Sequence, residues 1–408
     1  MHNCRHCSQP LSHEVINLGH QPPSNAYLSA EGLEQPEVSF PLKVFVCTQC
    51  WLVQLPAHAT ASELFTPDYA YFSSTSRGWL AHCERYVAVM VERFGLDAQS
   101  RVVEIASNDG YLLQFVQQRG IPCLGIEPTG STAAAARAKG IETVECFLGA
   151  ATGTQIAASH GQADLIPANN VFAHVPDIND FSAGLAALLA PEGVITLEFP
   201  HLLSLLTGLQ FDTIYHEHYS YLSLSSASSV LEAAGLRVFD VEELATHGGS
   251  LRLFACHAAA AHELRPAVGG FREREEQAQL NSLAAYQALQ GEAERIKNDL
   301  LAFLIAEQRA GRSVAAYGAA AKGNTLLNFA GVKPDLLPYV CDAAKSKQGR
   351  FLPGSHIPIL APNQLALATP RTVLILPWNI AEEVASSMSQ VREWGGRFAT
   401  AVPSLTTF

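Results

Sequence analysis

The sequence predicts an α/β protein built in three parts, and three observations carry that prediction. Two CxxC pairs, "CRHC" and "CTQC", stand within the first fifty residues. Beyond them, short apolar runs alternate with amphipathic stretches, as in "RVVEIASNDGYLLQFVQQRG" followed by "IPCLGIEP". The same alternation restarts near residue 314, in "RSVAAYGAAAKGNTLLNFAG" and "LPYVCDAA". Strands alternating with helices argue for a doubly wound sheet. A length of 408 residues also exceeds what one hydrophobic core usually holds.

Composition narrows the function. Apolar residues make up 48% of the chain, which is globular rather than disordered. No apolar run reaches the roughly 18 residues needed to span a bilayer. The start, "MHNCRHCSQP", lacks the regions of a secretory signal. The expectation is a soluble cytoplasmic protein with no membrane partner. Lys and Arg total 26 against 38 Asp and Glu, a formal charge of −12, and no basic run appears. Nucleic acid is therefore disfavoured as a partner, whereas local cations could still hold an anionic substrate. Nine cysteines, an odd number, fit a reducing compartment.

In the head, Cys4 and Cys7 with Cys47 and Cys50 have the makings of a closed, tetrahedral, structural zinc site. The 39 residues between Cys7 and Cys47 exceed the usual ribbon spacing of about 15–20, so they must hold a folded insertion. Four thiolates leave no open position for catalysis, although His2, His6 and His20 lie nearby. Cys83, Cys123, Cys146, Cys256 and Cys341 read as small core residues.

In the middle, "WLAHCERYVAVMVERFGL" is a helix and Arg101 to Ile105 a buried strand, followed by a polar turn and an amphipathic helix. A second strand ends at Glu127, 17 residues after Gly110, a spacing suited to ribose hydroxyls. No full GxGxxG is present, so a dinucleotide is not the obvious ligand. Glu104 and the Asn108-Asp109-Gly110 turn better suit a smaller adenosine-type cofactor, although such turns also carry Asn, Asp and Gly for conformational reasons. "ADLIPANNVFAHVPDINDF" gives a fourth strand ending in Asn169 and Asn170, and "PEGVITLEFP" a fifth.

In the last third, residues 273–308 read as one long helical stretch with a solvated charged face. Val314 to Tyr317 form a strand, and Gly318 through Gly323 a turn opening a helix. Small residues, Lys322 and the helix N-terminus would make an anion site there, which is not a Walker A loop. The alternative is a structural turn whose glycines serve the backbone. Tyr69, Tyr71 and Ser73, in "TPDYAYFSSTSRGW", either touch substrate or only space two domains.

The order strand, acidic turn, Glu127, Asn-Asn and "APEGVITLE" resembles class I S-adenosylmethionine-dependent methyltransferases. That resemblance implies a cofactor set of Glu104, Ala106, Ser107, Asn108, Gly110, Glu127, Pro128, Asn169 and Asn170. The loop after Ile105 would touch the methionine moiety and Glu127 the ribose. The longer series narrows it: the double CxxC head, "EIASNDGYLL", "GIEP", "NNVFAHVPD", "YHEHYSYLS", "THGGSLR", "YGAAAKGNTLLN", "KQGRFLPGSHIPI" and "LILPWN". Together these resemble the three-domain sugar C-methyltransferases that make branched deoxysugars. The family implies a zinc-binding domain over 1–72, a methyltransferase domain over 73–260 and a second Rossmann-like α/β domain over 261–408. It also implies a nucleotide-diphosphate ketosugar substrate, held by Tyr69, Tyr71, Ser73, His216, Lys322 and Asn324. Three departures stand out: Ala106 where glycine is usual, Tyr111 where a smaller residue is common, and "DAAKSKQGR", which leaves the role of Asp342 open.

Carbon methylation needs a carbon nucleophile, formed by deprotonation beside a carbonyl. The enzyme must therefore supply a base and a donor for the enolate oxygen. "YHEHYSYLS", residues 215–223, holds both types of group, and "SLSSASSVLEAAG" after it reads as a helix with a Ser N-cap. If the segment is extended, His216 and His218 share one face and Tyr215 and Glu217 the other. By resemblance His218 is the base, Tyr215 and Glu217 orient the sugar, and His174 is a further contact. The rival roles are a satisfied structural histidine, or a metal pair that lacks a third ligand. The rival functions are an O- or N-methyltransferase and a zinc-ribbon binding module with a degenerate fold. A monomer or weak homo-oligomer is expected.

Overall fold

The computed structural model describes residues 2–58 and 72–408. Tyr69 and Tyr71 lie outside them. In the head, β1 (His2–Asn3) and β2 (Pro10–Leu11) pair around the first CxxC. Strands β3 (His13–Gln21), β4 (Phe40–Val46) and β5 (Val53–Gln54) form an antiparallel sheet, with the second CxxC in the turn between β4 and β5. The long spacing between the cysteine pairs is therefore filled by strands.

The middle unit carries β6 (Val102–Ile105), β7 (Cys123–Ile126), β8 (Thr143–Val144), β9 (Ala163–Asn169) and β10 (Leu189–Pro200), all parallel. The short strand β11 (Ser220–Tyr221) leaves this unit and pairs with β5 of the head. The chain returns as β12 (Leu236–Leu244) and β13 (Ser250–His257), antiparallel additions that complete the order β8-β7-β6-β9-β10-β13-β12. Every residue of β6 is buried, as expected of a strand covered on both faces. The order reverses between β6 and β9, which places the crevice for a ligand at their carboxyl ends.

Residues 273–308 do not form one helix. The helix Pro266–Gln277 stops, and a second runs over Leu289–Arg309. Between them Gln279 takes φ 57°, and the chain turns Leu280 and Tyr286 into the interior, where the Tyr286 hydroxyl donates to Leu280 O at 2.6 Å. Burying two large side chains outweighs continued helix propensity. The second helix buries Leu289, Ala293, Ile296, Leu300 and Leu304 at helical spacing.

The C-terminal sheet follows with β14 (Val314–Tyr317), β15 (Val340–Cys341), β16 (Ile359–Leu360), β17 (Thr372–Ile375), β18 (Arg397–Thr400) and the antiparallel β19 (Thr406–Thr407). Its order, β16-β15-β14-β17-β18-β19, reverses between β14 and β17. One hydrophobic core runs from Val15 and Val44 of the head through Phe211, Ile214 and Tyr221 to Ala316 and Leu374. A second joins Cys4 and Leu52 to the middle sheet through Leu222 and Leu224. Among the described residues no helix is long and apolar enough to cross a membrane.

Candidate active site

The turn after β6 is built on unusual backbone: Ala106, Asn108 and Gly110 have φ of 56°, 49° and 75°. Ala106 thus holds a conformation that glycine adopts without strain, at a cost of about 1–2 kcal/mol. Glu127 fixes the turn. Its Oε2 accepts the Asn108 N–H at 2.9 Å and its Oε1 the Thr129 N–H at 2.9 Å, with Pro128 between. Asn108 Oδ1 accepts the backbone N–H of Ser73 at 3.0 Å, so Ser73 lies against the turn after β6. Ser107 Oγ and both polar atoms of the Asn169 side chain are buried with no hydrogen-bond partner among the described residues. Burial pushes the Glu104 carboxyl well above the usual range, which the Tyr111 hydroxyl opposes. Asn170, at φ 52°, donates from Nδ2 to His247 Nε2 at 3.3 Å and leaves Oδ1 with no partner among the described residues. Buried orphan polar atoms converging on one crevice fit a polar ligand with hydroxyl, amino and carboxylate groups.

Residues 215–223 are not extended. The His218 N–H donates to Tyr215 O at 2.9 Å, closing a turn that separates the two histidines. His216 points to the head, with its ring 5.8 Å from Phe40. His218 packs 4.0 Å from Tyr215 and 4.6 Å from His174, centroid to centroid. The expected shared face fails because the Tyr219 N–H bonds Ala173 O and the next residues pair with β5, which leaves no room for a straight run. His218 Nδ1 lies 2.8 Å from Thr213 O and so donates its proton there, leaving Nε2 as the lone-pair nitrogen. Burial, then the neighbouring His174, hold His218 well below the usual histidine range; burial also lowers His174 to about 4. Glu217 accepts from Asn25 Nδ2 at 2.6 Å. The helix Leu224–Ala233 begins as anticipated, with Ser223 as N-cap and Ser226 completing a capping box.

The C-terminal unit closes the other side. Lys322 donates to Asn379 Oδ1 at 2.6 Å and lies 4.7 Å over the Trp378 ring. Burial lowers its pKa, and Asp212 opposes that shift. The Trp378 indole N–H donates to Asp212 Oδ2 at 2.8 Å, and burial raises Asp212 to about 6. Asn324 is turned away, donating to Ser24 O at 2.6 Å, with its Oδ1 buried and without a partner among the described residues. Four groups carry the site without having been singled out by the sequence: His247, Asp212, Trp378 and Asn25. His247, at φ 55°, sits 5.7 Å from Trp79, and burial lowers it to about 4. "THGGSLR" and "LILPWN" were its signal and that of Trp378. Asp212 and Asn25 gave none, because their partners lie 166 and 192 residues away.

The four sulfurs of Cys4, Cys7, Cys47 and Cys50 lie within 4.8 Å of one another, with Cys4–Cys50 and Cys7–Cys47 each at 3.5 Å. Thiolates about 2.3 Å from one tetrahedral zinc stand ~3.8 Å apart, so the set fits that ion. Each knuckle is closed alike: the Ser8 N–H bonds Cys4 O at 2.9 Å and the Trp51 N–H bonds Cys47 O at 2.8 Å, with Ser8 and Trp51 at φ 62° and 59°.

Three families match consecutive stretches of the chain: a "zinc binding domain" over residues 4–65, a "Methyltransferase domain" over 79–241 and a "C-methyltransferase C-terminal domain" over 245–403. The C-methyltransferase NovU of Streptomyces niveus is 37% identical over 400 residues, covering 98% of this chain and 95% of that protein. Among solved structures, an S-adenosylmethionine-dependent methyltransferase from Anabaena variabilis is 17% identical, covering 44% of this chain and 86% of the other, at a TM-score of 0.35. Magnesium protoporphyrin IX methyltransferase from Synechocystis is 16% identical over 44% of this chain and 80% of its own, at 0.34.

Proposed function

The chain belongs to the three-domain C-methyltransferases, and on that premise we propose that it methylates the carbon beside the 4-keto group of a nucleotide-diphosphate deoxysugar. S-adenosylmethionine, its methyl donor, supplies an electrophilic methyl group when bound. Glu127, with Ser107, Asn169 and Asn170, lines the crevice that takes this cofactor.

The observation that carries the reading is the pinned tautomer of His218, whose Nδ1 is committed to Thr213 O. Its Nε2 is left to take a proton, and burial keeps the ring neutral before the substrate arrives. The α C–H proton passes to Nε2, and the C–H electron pair becomes the enolate; a bound methyl donor would supply the methyl group, the electrons of its carbon–sulfur bond staying with the sulfur as a neutral thioether. An O- or N-methyltransferase would need no base for a C–H bond. Tyr215 and Glu217 orient the sugar and His174 packs against the base. Lys322 is a half-buried cation near the same crevice, suited to the diphosphate or the developing oxyanion.

Incubation with a panel of 4-ketosugar nucleotides, read by product mass, tests the substrate. His218→Ala is expected to abolish solvent-deuterium exchange at the carbon beside the ketone while S-adenosylmethionine still binds. Full exchange in that variant moves the base to His174, the ring beside it, since His216 faces the head.

A further inference from the structure

The loop that carries His218 is held from outside its own sheet. Its β11 segment pairs with β5, placing Ser220 opposite Gln54 and Tyr221 opposite Val53, and the Leu55 N–H donates to Tyr219 O at 3.0 Å. Gln54 also reaches the metal site: its Nε2 donates to Cys4 Sγ at 3.1 Å, and its Oε1 accepts the Arg5 N–H at 2.8 Å. One residue thus links a zinc thiolate to the strand that follows the base.

The two residues inside the first knuckle reach further. Arg5 donates from Nη1 to Pro176 O at 2.7 Å and from Nη2 to Leu55 O, with its guanidinium 5.2 Å over the Tyr219 ring. Pro176 is two residues beyond His174, and Tyr219 directly follows His218. His6 meets Asn179 Oδ1 at 2.8 Å and Ser229 Oγ at 3.3 Å, and Asn179 Nδ2 donates to His6 O at 2.8 Å. The loops that carry His174 and His218 are therefore both tied to a four-residue metal knuckle. A two-residue strand has too few ladder bonds to hold a loop in register by itself. Four metal–thiolate bonds make the knuckle a fixed end against which the loops can be set.

We propose that the zinc knuckle is the clamp that sets the catalytic loop, with Arg5 and Gln54 as positioning residues for His218 and His174. This rests on His218 being the base. The test compares full-length Arg5→Ala and Arg5→Lys with the native enzyme. In Arg5→Ala, zinc should stay at one per chain and S-adenosylmethionine affinity within about twofold, because the cofactor turn is untouched. Turnover and α-proton exchange should fall together by about 10- to 100-fold, the scale of a displacement near 1 Å, with little change in KM. Arg5→Lys should recover only part of the loss, since one ammonium cannot serve two carbonyls and an aromatic face as the planar fork does. Native exchange in a zinc-loaded Arg5→Ala overturns the proposal, as does a loss of cofactor affinity in step with exchange. His218→Ala run alongside separates the two ideas: if it keeps full exchange, the base assignment fails and not the clamp alone. Should Arg5→Ala not fold, graded chelation of the native enzyme decides. Exchange lost with the metal while the cofactor still binds upholds the clamp; exchange that persists, or cofactor binding lost in parallel, overturns it.

Discussion

The first turn of each parallel sheet is tied to an acidic residue at the end of the next strand. In the middle sheet Glu127 accepts the N–H groups of Asn108 and Thr129, both at 2.9 Å. In the C-terminal sheet Asp342 accepts those of Ala319 and Ala344, both at 2.7 Å. Each carboxylate spans the turn and the amide two residues beyond itself. Each turn also needs a glycine: Gly110 at φ 75° and Gly318 at φ 90°, where a Cβ would lie 2.4 Å from Ile141 Cδ1 and 2.5 Å from Pro377 Cδ. What separates them is the neighbouring charge. Lys347 stands 3.8 Å from Asp342, donates to Ala319 O at 2.8 Å and covers the Tyr27 ring at 5.3 Å. At the middle turn the cation, Lys139, pairs with Asp109 at 3.2 Å, and among the described residues no ion pair reaches Glu127. An acidic residue at a strand end is therefore not a ribose site by position alone. It becomes available to hydroxyls where no cation has already neutralised it.

The largest expected effect breaks or upholds that comparison directly. Glu127→Ala should weaken S-adenosylmethionine binding about 100-fold, near 3 kcal/mol for lost charge-assisted bonds, measured by calorimetry. Asp342→Ala should leave that affinity within about twofold and instead lower stability by about 2 kcal/mol, because two amides lose their acceptor. Equal losses of affinity in both variants would erase the distinction.

A smaller effect concerns acid. The depressed histidines are His174 and His247, at about 4, and His218, lower than usual, beside the middle sheet, and His216, at about 4, against the head; burial is the first cause in each. The unfolded chain binds protons near pH 6.5 that the folded chain refuses, so stability falls as pH drops from about 6.5 toward 4. Asp212 and Glu104, raised by burial, carry the opposite sign and offset part of it. The net slope should be on the order of 1–3 kcal/mol per pH unit by denaturant titration. A flat profile from pH 7 to 5 would remove burial as the cause. Smallest is Lys347→Met, which should cost about 1 kcal/mol of stability and no cofactor affinity; adding Asp342→Asn should restore part of it.

How much of this was legible depends on distance along the chain. The CxxC pairs, the strand–turn–helix units and the Ser223 cap are local, so residue type and spacing sufficed. The turn at His216–Glu217 was not, because it is imposed by Tyr219 bonding Ala173 and by β11 joining β5, far away in sequence. The break in the helical stretch over residues 273–308 had the same origin, since Leu280 and Tyr286 are drawn into a core that helical periodicity does not report. Asp212 looked like any polar loop residue until Trp378 arrived from the far end of the chain.

The shared interior also bears on how such a protein can be taken apart. Head residues such as Val15 and Val44 lie in one core with Ile296, Ala316 and Leu374. The three family segments are consecutive in sequence, yet they are not modules that can be traded singly. A chimera that exchanged only the last third would mismatch the apolar face the head has grown to fit. The head also shares a core with the middle sheet through Cys4 and Leu52, so even an exchange of the head and the C-terminal unit together would cut through one interior.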